Sequence, residues 1–554
     1  MLAVSRPGGN GRPKGPDAMT GNRYQLSFYE SPLAERPGSA SPFAPMRRLG
    51  PAVLAILCGC APSAPPGTVF YASGADLQSI NPLATIHPLA KQVQRYALFT
   101  TLVRYDSLLR PAPYLAERWD WSVDRRTLRL TLRDDVRWHD GVATTARDAA
   151  FTLRAARDPR TGYPRSSDLA CLRDIGVASA HELRLVFCRP QPGVPDVLAE
   201  LAILPEHRLG RVRPESLRTA AFNERPVGNG PFRFVAHQPG RRWVFEADPL
   251  FPAALGGPPG IRRLVIVVVE EPSTKLAGLV SGELHVAGIQ PMHAAVVRRA
   301  PGLAVLDYPM LISYGLFWNL RRPLFADPRM RRALTLALDR RQMVAVYLYG
   351  FGTVADGPVP PSHPAAVPVP AVPFDRAAAR ALLDSLGWRA GADGVRRRGA
   401  EVLAFTLTTV GSSDNVLEQL IQADLAAVGV RARIRQLELG AFLAAAQSPS
   451  REYDALVTGI PGDLGLGYLR ALFDSRRRGE PQQYAQYASP AVDRALDAGD
   501  LATVQRLVAV DLPATWLYHA RGVHGVSRRL HGLRMDLRGE LVAVHQWHLE
   551  VAAP

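Results

Sequence analysis

From Thr68 onward, two periods of apolar residues alternate along the chain. Between Arg126 and Arg133 the run TLRLTL alternates strictly, the pattern of a strand with one face in water. Residues 262–269 (RRLVIVVV) become continuously apolar and β-branched, as in a strand covered on both faces. Residues 405–410 are similar, and 413–428 then place Val416, Leu417, Leu420, Ile421 and Leu425 at helical spacing. Gly429 closes that helix before another strand at 430–437. This strand–helix–strand rhythm predicts an α/β fold, a mostly parallel sheet with helices on its faces. Proline-rich spacers at 249–259 and 358–373 read as surface loops.

The first 45 residues are rich in Gly, Pro and Ser, and show no apolar period. Met46-Arg47-Arg48, the uncharged run 49–57 and Cys58-Gly59-Cys60 then have the layout of a secretory signal. The apolar run is far shorter than the roughly 20 residues a membrane span needs. Met46 is therefore expected to be the initiator, with 1–45 an upstream mis-start or disordered extension. Leu57-Cys58-Gly59-Cys60 resembles the bacterial lipobox, which implies a signal at 46–60, lipid on Cys60 and a tether at 61–67. That predicts an exported body anchored to the membrane of the cell envelope.

A chain of 554 residues is too long for one core, so two or three domains are expected. Its net charge of +16 raises the question of nucleic acid, but the charge is scattered as single arginines and short pairs. Only Lys14, Lys91 and Lys275 among the 66 basic residues are lysine. No nucleic-acid partner is expected. The exported body keeps two cysteines, Cys171 and Cys188, flanking strand-like runs at 175–178 and 182–187. Their midpoint falls on the intervening turn, so a disulfide across the hairpin is predicted, with two buried thiols as the alternative. No G-x-S-x-G elbow, H-E-x-x-H pair or activated cysteine is visible, so no catalytic residue, metal site or cofactor is expected, and the chain is read as not an enzyme.

The segment from Leu115 to Phe151 is more specific. It runs Leu115-Ala116-Glu117-Arg118-Trp119, Asp134-Asp135-Val136-Arg137-Trp138-His139-Asp140-Gly141, then Thr145-Ala146-Arg147-Asp148. Pro226-Val227-Gly228-Asn229-Gly230-Pro231-Phe232, Ser281-Gly282-Glu283-Leu284 and Pro323-Leu324-Phe325-Ala326-Asp327 follow in order. These blocks closely resemble the family 5 extracytoplasmic solute-binding proteins, the dipeptide-, oligopeptide- and nickel-binding group. The resemblance implies a two-lobed periplasmic binding protein-like fold of type II, α+β in a domain inserted into lobe I. Lobe I would comprise 68–105, 225–308 and 505–554, the inserted domain 106–224, and lobe II 309–504. It further implies a monomer that closes on a peptide or other small solute and delivers it to the membrane subunits of an ABC permease. A nickel chelate, an opine and a glycan are alternative solutes; a secreted hydrolase and a sensor are alternative functions.

Relatives of that kind hold a peptide's ammonium with an Asp shortly before a Phe-Leu pair. Aligning Tyr468-Leu469 on that pair puts Pro461 at the acid position, and Asp463 is the nearest carboxylate. The ligand-binding expectations are therefore Asp463, His87 near the first-lobe cleft, Tyr314 and Trp318 on the crossing strand, and Thr409 and Ser412 after a buried strand.

Overall fold

The computed structural model describes residues 65–85, 87–411 and 415–550. The signal, Cys60, most of the tether and Ser412 lie outside the described residues. The body opens with β1 (Thr68–Ser73), in which Val69 and Tyr71 are buried, and the short helix α1 (Pro88–Gln92). A separate antiparallel sheet follows, ordered β2 (Ala116–Trp121), β3 (Thr127–Leu132), β5 (Glu182–Phe187), β4 (Leu172–Ser179). Helix α2 (Ala146–Arg157) packs on that sheet. It starts with a capping box in which Thr145 and Asp148 satisfy each other's backbone N–H groups. Cys171 and Cys188 are joined by a disulfide at the open end of the β4–β5 hairpin, where the Cys188 N–H also donates to the Cys171 carbonyl at 2.8 Å.

The chain then enters the large sheet through the hairpin β6 (Phe232–Gln238) and β7 (Arg242–Ala247), continuing into β8 (Arg263–Val268). Helix α3 (Pro272–Ser281) leads to β9 (Val286–Gly288), and β10 (Leu303–Trp318) runs for 16 residues. Next come β11 (Gly352–Val354), β12 (Ala404–Val410), α4 (Val416–Ala426) and β13 (Arg431–Leu437). The series ends with β14 (Ala455–Pro461), α5 (Tyr468–Phe473) and the 14-residue β15 (Ala514–Ser527). The sheet order is β13-β12-β14-β10-β15-β9-β1-β8-β7-β6, with β11 on the flank of β15.

The expected mostly parallel sheet is corrected by this topology. Only β1–β8, β1–β9, β12–β13 and β12–β14 pair in parallel. The β6–β7 hairpin and the long strands β10 and β15, which carry the chain between the two ends of the sheet, make the remaining pairs antiparallel. The spacer at 358–373 also differs from a surface loop at its start. Pro358 is buried, its carbonyl accepting hydrogen bonds from Ser313 Oγ and Tyr468 Oη at 2.9 Å each.

Two apolar cores gather around β1, β8 and β9, and two others around β10, β12 and β14. The molecule is thus two lobes crossed by β10 and β15. The ladder between these strands shifts register between Pro309 and Ser313, and Pro309 can donate no ladder hydrogen bond. His519, opposite Ser313, is buried there. Its Nδ1 donates to Ser313 Oγ at 2.8 Å, and burial pulls the imidazole down to about 4, so it is neutral at pH 7.

Candidate ligand-binding cleft

In an open α/β sheet, ligands sit at the carboxyl ends of the parallel strands, where backbone groups have no ladder partner. At that end of β1 and β9 the first lobe holds a cavity of about 290 Å3. Ser73, His87, Lys275, His524 and Glu540 line it, together with Gly74 and Gly288. Six segments of the chain meet there, spanning residues 71 to 540.

Glu540 is the centre of the arrangement. Tyr71 donates its hydroxyl to Oε2, Tyr308 donates to Oε1 at 3.0 Å, and His524 Nε2 lies 3.7 Å from Oε2. Burial would push this carboxyl up, but the contacts with His524, Tyr71 and Tyr308 outweigh it and hold the group at about 2. The two phenols are driven well above their ordinary value by burial and by the charge on Glu540, so both stay protonated as donors. His524 Nδ1 is buried without a hydrogen-bond partner among the described residues.

Lys275 stands on the other side, in the first turn of α3 behind its cap Glu271. Its Nζ lies 3.1 Å from where a Cβ on Gly74 would be, so the ammonium lies against the backbone just past β1. Burial lowers its pKa, and the charge of Glu540 pulls the other way. His87 joins the rim as the cap of α1, its Nδ1 accepting from the Ala90 N–H at 3.4 Å, and burial lowers its pKa.

The second lobe disposes of its candidates differently. Tyr314 stacks on Tyr518 with ring centroids 4.7 Å apart. Thr409 donates to Glu418 Oε1 at 2.7 Å, and both residues are buried. Trp318, expected in the cleft, is instead 0% exposed. It packs on Phe325 and Phe405, and its Nε1 donates to Thr515 Oγ1 at 3.2 Å. It has no surface left for a ligand. Asp463 folds back on its own loop: Oδ1 accepts from the Gly465 and Gly467 N–H groups and Oδ2 from that of Tyr468, opening α5. That loop reaches the first lobe, where a Cβ on Gly465 would fall 1.6 Å from Asp196 Oδ2, leaving room only for glycine.

A model of the bacterial extracellular solute-binding proteins, family 5, matches residues 110–476. The chain belongs to that family. Among curated relatives, Protein XP55 of Streptomyces lividans is 29% identical over 80% of this chain and 82% of its own length. Two solved structures share the fold. NikZ from Campylobacter jejuni, in complex with Ni(L-His), superposes with a TM-score of 0.73 at 23% identity, over 88% of this chain and all of that one. The oligopeptide-binding protein AppA from Bacillus subtilis, in complex with a nonapeptide, gives 0.70 at 22%, over 87% and 99%.

In this family 5 protein the block that first betrayed the resemblance is architectural. His139 donates its backbone N–H to the Gly228 carbonyl at 2.8 Å, and its Nε2 meets the Gly230 carbonyl at 2.9 Å. A Cβ on Gly228 would lie 1.9 Å from the Leu98 carbonyl, so the two segments touch backbone to backbone. Asp140 is bound by His207 Nε2 and Arg208 Nε, both at 2.9 Å. The residues sequence reasoning missed are Tyr71, Lys275, Tyr308, His524 and Glu540. Lys275 alone carried a signal, as one of three lysines among 66 basic residues.

Proposed function

We propose that this extracellular solute-binding protein captures a short peptide at the first-lobe cavity, closes the second lobe over it and presents it to an ABC permease. The observation carrying this reading is the cavity itself, ionisable and solvent-reachable, at the end of β1 and β9. The AppA relative, whose structure holds a nonapeptide, supports the choice of peptide. The chain acts as a binder without turnover, as a monomer, with the inserted domain and lobes divided as the resemblance implies. Lipid on Cys60 holds it at the membrane of the envelope.

Native mass spectrometry of protein purified from its own host tests the ligand: a co-purifying peptide supports the reading, and a metal chelate or sugar overturns it. Metabolic labelling with palmitate tests the anchor, the label being expected on the wild type and lost in Cys60→Ser. Closure has its own test. Gly465→Ala forces a methyl against Asp196 and holds the lobes apart, so ligand affinity should fall on the order of tenfold or more while unfolding stays cooperative. Titration calorimetry with small-angle scattering checks this; an unchanged affinity would separate closure from that contact.

A further inference from the structure

We propose that the cavity at the end of β1 reads a compact zwitterion, with Lys275 facing the ligand's carboxylate and Glu540 its ammonium. The inference deepens the cleft reading above and rests on it.

Lys275 has no structural use that accounts for it. A cation in the first turn opposes the helix dipole, so α3 gains nothing from its charge. Among the described residues it makes no ion pair, and its only opposite charge of note is Glu540, beyond ion-pair distance. Of the 66 basic residues only three are lysine, and one of those compact ammonium groups stands at this wall. A point charge on a flexible stem suits a single carboxylate approaching over the Gly74 backbone, where a planar guanidinium would not fit as closely.

Glu540 offers the complementary half. An ionised carboxylate has about four acceptor positions, and the hydroxyls of Tyr71 and Tyr308 occupy two of them. Its side chain keeps 22% of its surface open. The two charges line one cavity without pairing with each other, so opposite charges on a ligand can meet both. His524 lines the same cavity, its Nε2 3.7 Å from Glu540 Oε2. The volume of about 290 Å3 lies at the lower end of small-molecule sites, which fits a single amino acid or a dipeptide at this wall rather than a long chain.

The test ranks free amino acids and alanyl dipeptides by thermal shift. The best binder is then titrated beside its N-acetyl and C-amide forms. In the wild type, either cap should weaken binding at least about tenfold. Lys275→Met should bind the acid and the amide equally while still rejecting the N-acetyl form, and Glu540→Gln should do the reverse. Lys275→Arg should keep the preference for the acid. The inference is overturned if Lys275→Met still distinguishes acid from amide, or if no zwitterion binds. Binding of an uncharged solute with lobe closure in scattering would sink the inference and leave the cleft reading standing.

Discussion

The two lobes carry the same kinds of side chain and treat them in opposite ways. On the second-lobe wall an acid, a hydroxyl and aromatic rings complete one another: Thr409 binds Glu418, Tyr314 covers Tyr518, and Trp318 is sealed between phenylalanines. On the first-lobe wall Lys275 makes no ion pair among the described residues, and Glu540, though it accepts from Tyr71 and Tyr308, keeps part of its surface open beside the cavity. Residue type therefore does not separate the two walls; access to open space does.

The comparison breaks most visibly at Trp318. If it is core, Trp318→Ala should destabilise by roughly 3–5 kcal/mol in denaturant unfolding. A variant of normal stability that had lost ligand would return Trp318 to the cleft. The crossing strands give the next effect through pH. The fold holds His519 at about 4 against an ordinary 6.5, so the neutral form is the favoured one. Its contribution, roughly 3 kcal/mol, is present above pH 6.5 and lost as pH falls from 6.5 to 4. His519→Gln should flatten that part of the curve of stability against pH, whereas a variant as acid-sensitive as the wild type would place the titration elsewhere. Glu540 has the sign of a depressed acid: its contribution is present above about 4.5 and lost as pH falls toward 2.

Smaller effects sharpen the contrast. Thr409→Val leaves Glu418 a buried acceptor short of its donor, and should lower stability by about 1–3 kcal/mol without altering which ligands bind. Lys275→Met should change stability least, by under about 1 kcal/mol and in the stabilising direction, because it removes a cation from a helix start. Thermal unfolding of the two variants side by side reads both; a larger loss from Lys275→Met would give that lysine a structural role.

Local pattern made much of the fold legible. The alternation at 126–133 lies on β3, the apolar run at 262–269 on β8, and the helix after β12 has the spacing expected for it. The parallel bias failed because β10 and β15 have no clean period. Pro309 interrupts one, while Gly522, Gly525 and two histidines break up the other. Their pairing is decided by tertiary position. The cavity was less visible still, since Tyr71 and Glu540 are bonded across 469 positions and no spacing rule spans that distance. Asp463 was picked for its charge, but glycines on both sides let its loop fold back, so three N–H groups reached the carboxylate.

The Tyr71–Glu540 bond also joins the two ends of the described body. It ties the first strand to the chain's closing segment within one lobe, so both ends of the body leave from the same mass. Any tether upstream of Thr68 therefore pulls on the first lobe, from which two crossing strands with a register break at Pro309–Ser313 lead into the second. Mechanically, the second lobe is a lever and the first its mount. A dye on the exposed Leu439 of the second lobe would read the proposed closure as a change in its distance from that base.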